Sequence, residues 1–213
     1  MELYVYDRTA GLVDVLEQTT SVRWRRRYFE PGEVEVHVPA TRTNWELLAE
    51  GRILRRTDRD EAAIIEQIDI SEDDLAVSGR MLSSLLERAI LSTCYTLRLP
   101  PEQAMLALIP EGTRVVPELT AAQAAGVGSQ DSIEMQATYK NLLTVEERLA
   151  RASNLGFRVL FEPGVMTFQV YEGVDRTVQQ NQRPFVLFSD EFGNLTAPRY
   201  TKTSKNYRNR AYV

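Results

Sequence analysis

The chain has 213 residues, of which 43% are hydrophobic and 26% charged, and it holds no low-complexity tract. That composition suits one large or two small folded domains with a real core. No run of about 18 apolar residues is present, which excludes a membrane-spanning helix, and the opening Met1-Glu2-Leu3-Tyr4 lacks the basic-then-apolar order of a secretory signal. A net charge of −5 argues against a general nucleic-acid binder. The lone cysteine, Cys94, cannot form an internal disulfide and fits folding in a reducing cytoplasm.

The first third reads as strands. Val34, Val36 and Val38 alternate with Glu33, Glu35 and His37, a period of two that buries one face. Before them Val22, Trp24, Arg26 and Tyr28 share one face and Arg23, Arg25 and Arg27 the other. Glu30-Pro31-Gly32-Glu33 reads as a tight turn in which proline presets φ and glycine supplies a positive φ, so a hairpin joins the two strands. Asn44 is placed to cap a short helix over 45–50, with Gly51 past its end. Strands follow at 53–54, Ala62–Ile70 and 75–79, turned through 58–61 and 71–74. Short strands with polar turns are the pattern of a small barrel or sandwich. At Met81 the period changes, and Leu82, Leu85, Leu86, Ala89 and Ile90 mark an amphipathic helix that plugs or flanks the sheet.

Around Leu99-Pro100-Pro101 the organisation shifts. Pro101 suits the first turn of a helix running to Ile109, which Pro110 stops. The Ala-, Gln- and Gly-rich stretch 121–132 reads as a loop. Thr144 and Glu147 form a capping box for a helix with Val145, Leu149 and Ala152 inward, ending near Gly156. Phe157, Val159 and Phe161 then alternate, Glu162-Pro163-Gly164 turns, and Met166, Phe168 and Val170 alternate back, a helix plus a β-hairpin. Further strands are expected at 185–188, 195–203 and 207–213. The last is still running when the sequence stops, so a longer protein is expected.

Residues suited to chemistry are few. The only histidine, His37, reads as an exposed strand residue, and Cys94, 57 positions away, as a small buried thiol; no third orienting group is marked. One Cys and one His do not make a zinc site. Asp58, Asp60 and Glu61, and likewise Glu72, Asp73 and Asp74, read as solvated turns without the Ca-loop pattern. Gly126-Val127-Gly128 lacks the lysine and helix signals of a phosphate loop. No catalytic residue, metal or cofactor is therefore expected. The cations are unusual in kind, 22 Arg against 3 Lys. A GC-rich genome accounts for such a bias first, and interfaces second, since guanidinium pairs bidentately and stacks. Two basic stretches stand out, 23–27 and 199–210, the second with five positive charges and no acid.

Several segments, in order along nearly the whole chain, resemble a siphophage tail protein family. They include Arg26-Arg27-Tyr28 with Pro31-Gly32-Glu33-Val34-Glu35 (close to an "RRYxxPGEFEL" signature), Glu61-Ala62-Ala63-Ile64-Ile65-Glu66, and Ala137-Thr138-Tyr139-Lys140-Asn141-Leu142-Leu143. Gly173-Val174-Asp175-Arg176-Thr177, Phe192-Gly193-Asn194-Leu195 and Asn206-Tyr207-Arg208-Asn209-Arg210 continue the match. That family is similar to the baseplate or tail-tip hub of contractile phages. The resemblance implies an α+β, β-rich chain: a small split β-barrel domain with a flanking helix over 1–95, an α/β domain over 96–178, and strands starting a second barrel over 179–213.

It also implies a non-enzymatic virion component at the tail tip, made in the host bacterial cytoplasm and assembled as a trimeric ring. Its partners would be copies of itself, the distal tail protein, the tail tube and the tape-measure protein. Arg23, Arg25, Arg27, Arg199, Lys202, Lys205, Arg208 and Arg210 are the candidate interface residues. Two other readings compete: a module binding a host-surface carbohydrate or protein, with an aromatic cleft near Tyr171 or Tyr200, and part of a cell-wall hydrolase whose catalytic domain lies elsewhere.

Overall fold

The computed structural model describes residues 2–9 and 11–203. The N-terminal half holds β1 (Leu3–Tyr6), β2 (Leu12–Leu16), β3 (Ser21–Arg25), β4 (Glu33–Pro39), α1 (Arg42–Leu47), β5 (Ile53–Arg56), β6 (Ala62–Ile70), β7 (Asp74–Met81) and a 3-10 segment, Leu82–Arg88. After it come β8 (Tyr95–Leu99), α2 (Pro101–Thr113), β9 (Leu119–Ala121), β10 (Ile133–Ala137), α3 (Leu142–Ser153), β11 (Gly156–Glu162) and β12 (Val165–Tyr171). The mixed, strand-rich class read from the sequence holds.

Strands β1 to β7 form one antiparallel sheet in the order β2-β1-β5-β6-β7-β4-β3. Val34, Val36 and Val38 face inward with Leu3, Leu54 and Ile65, and α1 lids this core through Leu47 and Leu48. The sheet curls strongly. Arg56 on β5 and Trp24 on β3 stand four strand spacings apart, roughly 19 Å in a flat sheet, yet the guanidinium lies 5.8 Å from the indole centroid. The ladder does not close, however: β2 and β3 are edges that pair only with β1 and β4 among the described residues.

Two glycines allow close backbone approaches, one in the sheet and one in the β3–β4 connection. The β6–β7 register slips between Ile65 and Gln67, a bulge that bends the strand. Opposite it a Cβ on Gly79 would lie 1.8 Å from the Ile64 carbonyl oxygen. Gly32 ends the β3–β4 connection, which spans 26–32 rather than a four-residue turn. Its φ is not positive; glycine is required there because a Cβ would sit 2.1 Å from the Arg25 carbonyl oxygen.

A second core lies on the other side of the sheet. Tyr6, Ile53, Ala62 and Ile64 pack against α2, α3 and the β11–β12 hairpin, whose Phe157, Phe161 and Phe168 are its largest members. Residues 62–65 are thus buried on both faces. The segments expected as separate domains, 1–95 and 96–178, share this core. The expected hairpin forms, with Glu162 drawn from the expected turn into the ladder opposite Val165, Phe161 opposite Met166 and Val159 opposite Phe168, and β9 added in parallel to β12.

Several boundaries differ from expectation for local reasons. Thr41, not Asn44, caps α1 by accepting the Asn44 N–H, while the Asn44 amide turns back to the Pro39 carbonyl. Residues 82–88 form a 3-10 segment, not an amphipathic helix, because Ser83 and Ser84 are buried along with Leu82, Leu85 and Leu86. Helix α2 runs through Pro110 to Thr113. Burial of Met105, Leu108 and Ile109 on the same helix outweighs a proline penalty of about 3 kcal/mol. Helix α3 begins at Leu142, capped by Asn141, whose side chain accepts the Thr144 N–H at 3.2 Å, and Ala152 is exposed. The loop after β9 is tied down: the buried Glu102 carboxylate accepts N–H bonds from Ala125, Gly126 and Val127 at 2.7–3.0 Å.

Residues 174–213 group as a separate unit. Its described part, to Thr203, contains a 3-10 turn, Asp190–Phe192, and no strand. The strands expected at 185–188 and 195–203 are not formed. Phe185, Val186, Leu187 and Phe188 are exposed, and among the described residues no strand lies opposite them; the Val186 N–H donates to the Arg176 carbonyl and the Asn194 amide to the Leu187 carbonyl instead. The strand expected at 207–213 lies outside the described residues.

Glu146 on α3 is wholly buried and both its carboxylate oxygens lack a hydrogen-bond partner. Burial pushes its pKa well above the carboxylate range. The folded state therefore holds this proton more tightly than the unfolded chain does. Its burial penalty is smallest below the unfolded value, where the carboxyl is neutral in both states, and stability declines as pH rises towards the folded one. Replacing Glu146 with Leu is expected to raise stability by about 1–3 kcal/mol at pH 8, with a smaller gain at pH 5; thermal melts at both values check this.

Candidate functional site

The candidate surface begins at edge strand β3. Arg23 and Arg25 stand directly across the ladder from Glu35 and Glu33 and bond them at 2.5 and 3.1 Å. Arg27, in the connection, bridges Glu30 and Glu33. These cations are exposed or partly so, and each is paired within the chain. Such exposed pairs contribute about 0.2–1 kcal/mol each, so they order the edge more than they stabilise it. Arg199 and Lys202 are exposed in the second unit, and Lys205, Arg208 and Arg210 lie outside the described residues.

The same connection carries a constellation that the sequence reading missed. Arg26 does not continue the Val22–Trp24 face. It turns to Glu61, at 2.5 Å, and Glu61 also faces Arg158 of β11 at 3.7 Å. Glu61 is therefore a nearly buried ion-pair centre, not a solvated turn residue. Arg158 donates two bonds to Gln169 and lies 5.0 Å from the Tyr171 ring centroid. Beside it the Tyr28 hydroxyl donates to the Asn154 carbonyl (3.1 Å) and accepts the Gly173 N–H (2.7 Å), and its ring packs edge-on against Tyr171 at 5.3 Å. Glu30 completes the clasp by receiving Arg151 of α3 at 2.6 Å; Arg27 and Arg151 hold its carboxyl below the usual range. Tyr171 is half-buried by these contacts instead of lining a cleft, and Tyr200 is 86% exposed. A four-residue separation in sequence, Arg26 to Glu30, thus reaches three elements of the α/β part.

The groups considered for chemistry are not brought together. His37 sits between Asp74 (2.7 Å) and Glu35 (3.2 Å), half-buried rather than free. Cys94 is exposed, not buried, and Gln136 donates to its sulfur at 3.4 Å. Hydrogen bonds from Thr138 first, then Gln136, lower the thiol pKa. Asp58 pairs with Arg56, and Glu72 and Asp73 are exposed. Gly126 belongs to the loop that closes on Glu102, so its amides already bind an anion, the chain's own. Among the described residues no three His, Cys, Asp or Glu side chains are placed to hold a metal ion, and no helix is long and apolar enough to cross a membrane.

The chain thus presents a curled sheet edged by β2 and β3, an α/β body packed on the sheet's outer face and a surface of paired ions. Its fold is similar to that of the prophage tail protein gp18 from Listeria monocytogenes EGD-e, with a TM-score of 0.54 at 12% identity over 79% of this chain and 50% of that one. Weaker likenesses are to the 43 kDa tail protein of prophage MuSo2 from Shewanella oneidensis (TM-score 0.49, 10% identity, 83% and 57%) and the tail protein from Neisseria meningitidis MC58 (0.48, 13%, 78% and 50%). The chain spans 50–57% of the length of these proteins. Among curated proteins none matches it in sequence. The fold is thus that of phage tail proteins. More narrowly, the chain belongs to the Siphovirus ReqiPepy6 Gp37-like protein family, whose model matches residues 2–213.

Two outcomes test the geometry of this surface. Breaking a fully buried ion pair costs about 3–5 kcal/mol. Arg26 is 39% exposed, so screening lowers the loss expected for Glu61→Ala to about 2 kcal/mol, read as a shifted denaturant midpoint at constant slope. His37 is the sole histidine, and its hydrogen bonds to Asp74 and then Glu35 raise its pKa. Its stabilising contribution is full below the unfolded value, about 6.5, and lost as pH rises through the folded one. Proton NMR should give a ring titration midpoint above 6.5 that falls on Asp74→Asn.

Proposed function

We propose that the chain is a hub subunit of a phage tail tip, acting by assembly into a homotrimeric ring and not by catalysis. The ring joins the tail tube, distal tail protein and tape-measure protein on one side to host-contacting parts on the other. The observation that carries this reading is the unclosed seven-stranded sheet, with β2 and β3 as unpaired edges. An unpaired edge invites pairing with another chain unless it is blunted, and an assembly protein uses that tendency. On β2, Leu12 and Val13 are 57% and 42% exposed, and on β3 the arginines stand in rows already ordered by glutamates. Head-to-tail contact between unlike surfaces closes into rings when the rotation allows. Arg23, Arg25 and Arg27, with the basic segment from Arg199 through Lys202, Lys205 and Arg208 to Arg210, are the residues assigned to these contacts.

Light scattering over a range of concentrations is the test. A trimer is expected, and Arg23→Glu with Arg25→Glu is expected to weaken it about tenfold, the value of one desolvated charge contact of roughly 1.4 kcal/mol. A chain that stays monomeric at high concentration sinks the proposal.

A further inference from the structure

Between β10 and α3 lies a groove of about 550 Å³. Its strand wall includes every residue from Ile133 to Ala137. Successive side chains of a strand point to opposite faces, so a cavity touched by all of them runs along the strand's edge. The other edge of β10 is taken by β8, and no strand pairs with this one among the described residues. The helix wall is Val145, Arg148, Leu149 and Ala152, spaced i, i+3, i+4 and i+7 and therefore one face of α3. A free strand edge beside an apolar helix face accepts an extended peptide as an added strand: its main chain takes the edge and alternate side chains enter the groove.

The groove also states the charge of its occupant. Lys140 and Arg148 line it and are exposed, and neither cationic group has an ion-pair or hydrogen-bond partner among the described residues. Arg23, Arg25, Arg26 and Arg27, by contrast, are all paired within the chain. Beside Lys140, Tyr139 is 74% exposed and held at φ 50°, a left-handed conformation that is costly for an aromatic residue. The chain that follows it is pinned: the Lys140 carbonyl accepts the Leu91 N–H at 2.9 Å, and the Asn141 amide donates to the Glu87 carbonyl at 2.5 Å.

The matching ligand is extended, apolar at alternate positions and acidic at its flank. This chain contains such a stretch. Phe185-Val186-Leu187-Phe188 are 47–67% exposed and lie in no strand. Asp190 and Glu191 follow, exposed and with carboxylates that have no ion-pair partner among the described residues. We infer that the β10–α3 groove receives residues 185–191 of a second copy of the chain as an added strand, with Lys140 and Arg148 meeting Asp190 and Glu191. The inference rests on the self-assembly proposed above and names one contact of it.

Sedimentation equilibrium on the 213-residue chain tests the contact through charge exchange. Lys140→Glu with Arg148→Glu, and separately Asp190→Lys with Glu191→Lys, are each expected to weaken self-association at least tenfold, and the four changes together to restore most of it. All four side chains are exposed, so circular dichroism melts should be unchanged. Mixing the two reversed variants one to one is expected to restore association in part, because the groove of one then matches the segment of the other. Self-association indifferent to both reversals overturns this contact and leaves ring assembly standing. Restoration in the fourfold variant without any effect of mixing places the contact within one chain and also overturns it. A wild-type chain that never associates overturns both readings.

Discussion

The structure depends on two-sided burial of one short stretch, residues 62–65. Ala62 and Ile64 belong to the core shared with the helices and the β11–β12 hairpin, while Ala63 and Ile65 belong to the core inside the curled sheet. A strand buried on both faces can carry no polar residue there, which is why Ala62-Ala63-Ile64-Ile65 is a continuous apolar run where its neighbour β7 alternates. Two small alanines at the start of the strand let the hairpin approach closely enough for an isolated bridge between Glu61 and Leu160 and for the Phe161 N–H to reach the Asp60 carbonyl at 2.7 Å. From this seam the sheet curls one way and the α/β body packs the other.

The segment that resembles a tail-protein signature acquires a physical reading from the same seam. Tyr28 wedges between Tyr171 and the chain turn at Gly173, and a Cβ on Gly156 would lie 2.5 Å from its ring. Gly32 lets the β3–β4 connection pass close to the Arg25 carbonyl. The glutamates of the segment are not decoration: Glu30, Glu33 and Glu35 neutralise Arg27, Arg25 and Arg23, and Glu30 also reaches α3. The arginine bias noted from composition therefore meets its demand largely inside the subunit. At the β10–α3 groove, by contrast, the two lining cations Lys140 and Arg148 go without partners among the described residues.

What could be read in advance followed periodicity. The Val34-Val36-Val38 alternation and the Phe157-Val159-Phe161 hairpin appear in the structure with the expected faces, because each strand has one wet and one dry side. Contacts between distant elements were not legible. Nothing local marks Glu61 as the partner of Arg26 and Arg158, since its neighbours are turn-like charges; the continuous apolar run immediately after it was the available signal. The β8–β10 ribbon was missed although Tyr95, Leu97 and Leu99 alternate with Thr96 and Arg98 in a pattern matched by Ile133, Met135 and Ala137. The two runs are separated by α2, so their pairing is visible only in three dimensions. The strands expected at 185–188 and 195–203 erred in the opposite direction: an apolar run alone does not make a strand when, among the described residues, no strand lies beside it.

The Tyr28 clasp also bears on how the chain is born. Its hydroxyl bonds join positions 126 and 145 residues apart. At synthesis rates of roughly 5–20 residues per second, such a separation means a wait of about 7–30 seconds before the second partner exists. During that interval the outer side of the sheet, with Tyr6, Ile53 and Ile64, stands bare at the ribosome exit. Nascent chains in that state are the ones that need chaperone cover, and in a cell making many tails at once they are also close enough to find one another too early.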